Sequence, residues 1–275
     1  MTATTLSHVD RVPDDWRAAV NDVLLIMRRN LLGYVRQPQL VVFMVIQPVM
    51  FVLLFTYVFG GAIDIPGVSY ANFLVPGIIA QSVAFNSAGT SVAVADDLSK
   101  GILDRFRSLP MAHGAVLTGR VATTGVVTLF TTVLMAVVGY VVGFRIQTGV
   151  LQGVLALLFL MAFGVTLAWI AAVIGLTVKD PEAAQSAGFI WLFPLNFVSS
   201  VFVPVDTMPG PLQAFADINP ITLTVNTVRG LVLGPEFAER FGIDVGAAAL
   251  GSFAWFAAIT LLFGYLARRG WRRLG

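Results

Sequence analysis

Charged residues are rare in the middle of this chain except in one stretch, "ADDLSKGILDRFRSLP", which occupies residues 95–110. Gly101 and Pro110 bracket eight residues, a length that suits two helical turns. Spacings of three and four place its apolar side chains on one side, Ile102, Phe106 and Leu109, with Asp104, Arg105 and Arg107 beside them. Buried aromatic and arginine side chains dominate protein interfaces. The pattern predicts a short amphipathic helix that docks on a partner; a solvated loop is the alternative.

The residue types needed for enzymatic chemistry are scarce. The two lysines, Lys100 and Lys179, are followed by Gly and Asp, so the chain has no P-loop motif "GxxxxGK[ST]". His8 and His113 are the only histidines and cysteine is absent, which excludes an HExxH zinc site and disfavours a Ser–His dyad. The sequence therefore predicts a chain that is not an enzyme and that binds no metal or cofactor itself.

The composition indicates a membrane protein. Of the 275 residues, 57% are hydrophobic and only 12% are charged, about half the ~25% charged fraction of an average soluble domain. The mean hydropathy is strongly positive, so a large soluble enzyme is disfavoured. The formal charge of +2 gives no reason to expect a nucleic-acid partner.

Six stretches are long and apolar enough to cross a membrane as helices. They are residues 40–59, 73–95, 121–144, 150–178, 187–205 and 243–267, and the second is the least apolar. Pro48, Pro76 and Pro194 lie inside these stretches and predict kinks. The centres of the six stretches contain no ionisable residue, whereas ion-driven transporters normally carry such residues inside the bundle. A secondary efflux transporter driven by an ion gradient therefore stays only as the alternative function.

The distribution of positive charge predicts the orientation. With the N-terminus inside, most of the 17 lysines and arginines fall on the cytoplasmic side, and only Arg145, Arg229 and Arg240 fall outside. Positive charge accumulates in cytoplasmic loops. We therefore predict that both termini are cytoplasmic and that residues 38–275 form one six-span domain.

A non-spanning helix is predicted over residues 14–37, after a flexible N-terminal segment, 1–13. At 100° per residue, one face of this helix is apolar: Trp16, Val20, Val23, Leu24, Met27, Leu31 and Tyr34. Arg28 and Arg29 fall on the polar side, and Pro38 ends the helix. Such a helix suits the cytoplasmic surface of a membrane; packing against a soluble partner is the alternative.

A further non-spanning region, 206–235, contains several prolines and is too apolar for a plain loop. "GPLQAFADI" and "ITLTVNTVRGLVL" are predicted to form two short helices separated at Asn219-Pro220. We expect both to dip into the outer leaflet, where protein or a wet cavity must cover their backbone.

Polar side chains within the spans either join helices by hydrogen bonds or line a transport pathway. With two neighbouring aromatic residues, the pathway candidates are Gln47, Gln81, Asn86, Asn196, Phe197, Ser199 and Phe202. Packing between helices is the favoured alternative for the polar ones.

Two long motifs and one shorter one resemble the type-2 ABC exporter permeases, in particular the daunorubicin-resistance-like group. The first is "ADDLSKGILDRFRSLPMAHGAVLTGR" and the shorter is "FLVPGIIAQS" at residues 73–82. The second long motif carries Pro194, Phe202, Pro204, Met208, Pro209, Leu212, Gln213, Asn219, Pro220, Thr222, Arg229 and Gly230. The likeness extends over nearly the whole chain from about Asp14.

The resemblance implies an all-α integral membrane protein of six spans with an interfacial helix, a coupling helix in the loop 96–120 and external re-entrant helices. It implies a coupling role for Gly101, Asp104, Arg105, Phe106, Arg107, Leu109 and Pro110. It also implies two copies of a separate P-loop ATP-binding subunit, which holds ATP and Mg, and a second permease copy or a paralogue. The expected cargo is a hydrophobic or amphiphilic drug, antibiotic or lipid-like compound, exported across the plasma membrane by alternating access. No motif identifies the cargo.

Overall fold

All the regular secondary structure in the described part of the chain is helical, as the sequence predicts. The computed structural model describes residues 16–59, 67–108, 111–112 and 114–273, apart from the side chains of residues 40, 59, 107 and 273. The α-helices there are α1 (Trp16–Arg36), α2 (Pro38–Leu54), α3 (Tyr70–Ser99), α4 (Ile102–Arg107), α5 (Ala115–Val142), α6 (Val150–Val178), α7 (Pro181–Phe197), α8 (Gly210–Ile218), α9 (Pro220–Leu233), α10 (Pro235–Arg240) and α11 (Val245–Arg273). The predicted flexible segment 1–13, with Leu109 and Pro110, lies outside the described residues.

Five helical stretches in the described residues are long and apolar enough to cross a membrane. They are Val41–Val58, Tyr70–Ser99, Ala115–Val142, Val150–Val178 and Val245–Arg272. Each overlaps a predicted span, although α3 and α5 extend further toward the loop between them than predicted. The continuous apolar composition of these five stretches explains why they form long helices suited to a membrane. Pro38 suits the first turn of α2, because a proline there removes no helical hydrogen bond.

The fifth predicted span, 187–205, differs from the structure. Helix α7 has 17 residues and ends at Phe197, well before residue 205. The carbonyl oxygens at its end bond to side chains instead of continuing the helix: Asn219 Nδ2 donates to Leu195 O at 2.6 Å and to Val198 O at 2.7 Å. At about 1.5 Å per residue, α7 is shorter than a typical bilayer core, so the six-span layout stays a prediction.

Helix α3 is the centre of the larger hydrophobic core. Most of its side chains are buried, whereas few side chains of α2 are buried although α2 is the more apolar helix. A central helix contacts other helices, so it carries small and polar residues that pack closely. This position explains why the second span looked least apolar in the sequence.

A smaller core lies at the end of the bundle that carries α4. Its buried members come from six helices, α1, α3, α4, α5, α6 and α11: Ile26, Val94, Leu103, Val116, Leu117, Leu176, Ala267 and Trp271. We call this group the second core. It fixes α1 and α4 against the ends of the longer helices and so positions the charged residues around them.

Candidate functional site

Helix α4 has one face toward the protein and one toward solvent. Gly101 precedes it with φ of 65°, a left-handed conformation that glycine adopts without steric cost. Leu103 is buried in the second core and Phe106 is half-buried against it. Asp104 and Arg105 are exposed. The side chain of Arg107 lies outside the described part of the chain.

Arg29 of α1 contacts both α4 and α3. Its guanidinium carbon lies 5.0 Å from the centroid of the Phe106 ring, within the range of a cation–π interaction. Its Nη2 donates a hydrogen bond of 2.8 Å to Oδ1 of Asp97. Arg29 therefore joins the predicted interfacial helix to the predicted coupling helix and to the end of α3.

Asp97 is a buried carboxylate held by two guanidinium groups. Its Oδ1 accepts from Arg29, and its Oδ2 accepts from Nη2 of Arg120 in α5. Asp97 is only 6% exposed, so the two cations offset the cost of removing its charge from water. Asp97 and Arg120 lie at the two ends of the loop 96–120, whereas Arg29 lies far before it in the sequence, and no local pattern links the three.

The remaining contacts of α1 show which of its faces packs on the bundle. Ile26 and Asn30 are buried, and Asn30 Nδ2 donates to Thr123 Oγ1 at 3.2 Å. Trp16, Val20 and Leu24 from the predicted apolar face are exposed, as is Arg28. The contact with the bundle thus lies beside the predicted apolar face, which is left partly uncovered along its first half.

A cavity of about 680 Å³ opens next to this cluster, within the ~300–1,000 Å³ range of small-molecule sites. Its charged end contains Arg29, Asp96, Asp97 and Arg120, and its wall includes the phenylalanines Phe43, Phe51, Phe85 and Phe189. Polar side chains lie between them: Gln47, Gln81, Ser82, Asn86 and Gln185. Tyr34 also lines the cavity, and burial raises the pKa of its phenol while nearby Arg120 acts in the opposite direction.

Three of the predicted pathway residues, Gln47, Gln81 and Asn86, therefore lie around one cavity. The Nδ2 of Asn86 is buried without a hydrogen-bond partner among the described residues. Since lipid cannot satisfy polar groups at membrane depth, this cavity suits water or an amphiphilic ligand better than lipid chains.

The other pathway candidates do not line this cavity. Asn196, Ser199 and Phe202 are buried, and Phe197 is about half exposed. The ring of Phe202 stacks on Phe55 at 4.9 Å and on Phe197 at 5.7 Å between centroids. The ring of Phe202 thus lies between Phe55, which directly follows α2, and Phe197 at the end of α7.

The residues of the predicted re-entrant motif hold the chain where α7, α8 and α9 meet. Pro209 precedes α8, and Pro220 begins α9. The break between them falls at Asn219, as predicted, and its Oδ1 accepts from Ile221 N at 2.8 Å. Arg229 is fully buried and donates to the carbonyl oxygens of Phe73, Ser200 and Val201 at 2.8–3.0 Å.

The family follows from comparison with known sequences. The profile of the family described as ABC-2 type transporter matches residues 21–233, which include α4, the cavity residues and Arg229. This chain belongs to the ABC-2 type transporter family.

Two similar proteins match this chain over most of their length. The daunorubicin resistance ABC transporter permease protein DrrB1 of Streptomyces coeruleorubidus is 35% identical over 246 residues, covering 88% of this chain and 86% of the relative. The probable doxorubicin resistance ABC transporter permease protein DrrC of Mycobacterium tuberculosis is 24% identical over 274 residues, covering 96% and 98%. These relatives are permease subunits, and in ABC transporters of this kind the ATPase is a separate subunit.

The sequence did not predict that Asp97 and Arg120 of this ABC-2 protein form an ion cluster with Arg29. Asp97 belongs to the charged stretch 95–110, and Arg120 is one of the arginines that the predicted orientation places on the cytoplasmic side. Their partner Arg29 lies 68 residues before Asp97. The one available signal was a pair of acids, Asp96 and Asp97, at the end of an otherwise uncharged span.

Proposed function

We propose that this chain is the membrane-spanning subunit of an ABC exporter that moves an amphiphilic, drug-like compound out of the cell. Membership of the ABC-2 family and the names of the two permease relatives support this proposal. The observation that supports it most strongly is the position of α4 beside a cavity lined by charged, amide-bearing and aromatic side chains. A separate ATP-binding subunit docks on α4, and its ATP-driven movement changes access to the cavity.

The proposed assembly contains two permease copies and two ATP-binding subunits in the plasma membrane. Both termini and α4 lie on the cytoplasmic side, and α8 and α9 lie at the outer side as re-entrant helices. The excess of lysine and arginine at the α4 end of the described helices supports this orientation. ATP and Mg belong to the ATP-binding subunit.

The docking role of α4 is tested with Arg105→Ala. Arg105 is exposed on the outer side of α4, and truncation of an interface hot spot costs at least ~2 kcal/mol, or roughly thirtyfold in affinity. We expect the ATP-binding subunit to copurify with the Arg105→Ala permease far less than with the wild type. The measurement is the amount of ATP-binding subunit retained on the tagged permease in detergent.

Lys100→Gln is the matched control for this experiment. Lys100 lies in the same loop and is exposed, with its ammonium 2.7 Å from Asp96. If the loss of Lys100 releases the ATP-binding subunit as strongly as the loss of Arg105, docking depends on general charge and not on α4. Unchanged copurification with Arg105→Ala contradicts the proposed docking surface.

The cavity is tested with Gly89→Trp. Gly89 lines the cavity, and a Cβ at this position would meet no atom within 4 Å, so the larger side chain has room to enter. We expect Gly89→Trp to reduce efflux of daunorubicin to background while the ATP-binding subunit still copurifies. Gly89→Ala, which adds one methyl group, should export normally.

Two results would contradict the proposed function. Export that continues with Gly89→Trp excludes this cavity from the route. Wild-type efflux that persists without the ATP-binding subunit and stops with an uncoupler identifies an ion-driven transporter instead.

A further inference from the structure

The two faces of α4 offer different contacts. Asp104 and Arg105 are exposed, whereas Leu103 is 1% exposed and Phe106 is half-buried. Phe106, the aromatic residue of the predicted docking helix, is thus turned toward α1. A partner that binds the outer face of α4 does not need to touch Phe106.

Phe106 packs against the guanidinium group of Arg29. The same guanidinium lies over the Phe106 ring at 5.0 Å and bonds Asp97 at 2.8 Å. A guanidinium is planar and can stack on a ring with its face while it donates hydrogen bonds from its edge. A displacement of α4 relative to α1 therefore shifts the Arg29 guanidinium and changes its hydrogen bond to Asp97.

Asp97 connects Arg29 to two longer helices, α3 and α5. It lies in the last turn of α3, and its second oxygen bonds Arg120 in the first turns of α5. Because Asp97 is buried, loss of one guanidinium partner leaves its charge poorly compensated. Arg29, Asp97 and Arg120 also form the charged end of the cavity.

We infer that Phe106 and Arg29 are positioning residues that transmit movement of α4 to the end of the cavity, while Arg105 on the opposite face binds the ATP-binding subunit. This inference rests on the proposed function and divides the predicted coupling residues into two groups. Residues on the outer face bind the partner. Residues on the inner face connect α4, through α1, to α3 and α5.

The test compares binding with coupling in the purified permease–ATPase complex in lipid nanodiscs. In Arg29→Gln and Phe106→Leu, the ATP-binding subunit should copurify as with the wild type. The stimulation of ATPase activity by daunorubicin should fall about tenfold in Phe106→Leu, as expected when a contact of cation–π strength is lost. It should fall at least as far in Arg29→Gln, which also loses the bond to Asp97. Phe106→Tyr retains the ring and should retain the stimulation.

Two further variants test whether the lost ATPase stimulation comes from the Arg29–Phe106 contact or from a general loss of structure. Arg28→Gln is the matched control, because Arg28 is exposed on the same helix, and it should behave as the wild type. The double variant Arg29→Gln/Phe106→Leu should be no worse than Arg29→Gln alone, because the two residues act through one contact.

The inference is overturned if Arg29→Gln or Phe106→Leu releases the ATP-binding subunit as Arg105→Ala does, because Phe106 would then belong to the docking surface. Full stimulation in both variants overturns it as well, as do independent, additive losses in the double variant. If the wild-type complex itself shows neither export nor stimulated ATPase activity, the proposed function fails first, which is a distinguishable result.

Discussion

Replacement of Arg229 by methionine is expected to destabilise the permease by about 3–9 kcal/mol, the sum for three buried acceptors that lose their donor. Arg229 is the largest fully buried side chain in the described residues. Its Nε donates to Phe73 O at 2.9 Å, its Nη1 to Ser200 O at 2.8 Å and its Nη2 to Val201 O at 3.0 Å. Methionine fills similar space but donates no hydrogen bond.

The effect is large because the three carbonyl oxygens belong to two separate parts of the chain. Phe73 belongs to the first turn of α3, and Ser200 and Val201 lie in the turn that follows α7. Arg229 in α9 thus connects three parts of the chain, with its guanidinium also 3.6 Å from the centroid of the Phe73 ring. Removal of Arg229 takes away the side chain that bonds both α3 and the turn after α7, while Ser200 keeps its bonds to Thr222 and Asn226 of α9.

The measurement is thermal unfolding of purified protein in detergent. We expect Arg229→Met to lower the Tm by more than about 5 °C. Arg229→Lys should fall between this variant and the wild type, because an ammonium group keeps the charge but cannot reach three separated carbonyls. Arg268→Met removes an exposed arginine from α11 and should unfold as the wild type; equal Tm values for Arg229→Met and Arg268→Met would contradict the structural role.

Features that depend on local sequence could be predicted. Pro38 ends α1, Gly101 precedes α4, and Asn219-Pro220 separates α8 from α9, as the sequence indicates. Each follows from the restricted backbone of proline, from the left-handed conformation open to glycine, or from an asparagine cap. Five of the predicted spans follow from length and apolar composition alone.

Features that depend on distant contacts could not be predicted. Arg229 bonds a residue 156 positions away, and Arg29 bonds one 68 positions away. The sequence identified both arginines as candidates, but only packing decides that one binds carbonyl oxygens and the other a carboxylate. The early end of α7 has the same origin, because Asn219 and Arg229 take the carbonyls that a longer helix would use.

A second large effect is expected where α3 passes the turn after α7. A Cβ added to Gly77 would lie 2.5 Å from the carbonyl oxygen of Val201 and 3.1 Å from its Cα. Both atoms belong to the backbone, so α3 and this turn must separate for Gly77→Ala to be accommodated. Overpacking typically costs ~1–3 kcal/mol, and we expect the upper end of that range because the turn is also bonded to Arg229.

Gly89→Ala is the matched control because Gly89 lies in the same helix and has nothing within 4 Å of an added Cβ. Alanine is favoured over glycine inside a helix by about 1 kcal/mol, so this control should unfold at or slightly above the wild-type Tm. A Gly77→Ala protein as stable as the Gly89→Ala protein would show that α3 does not approach the turn so closely. In the double variant Gly77→Ala/Arg229→Met, the losses should be less than additive, since both substitutions release the same carbonyl of Val201.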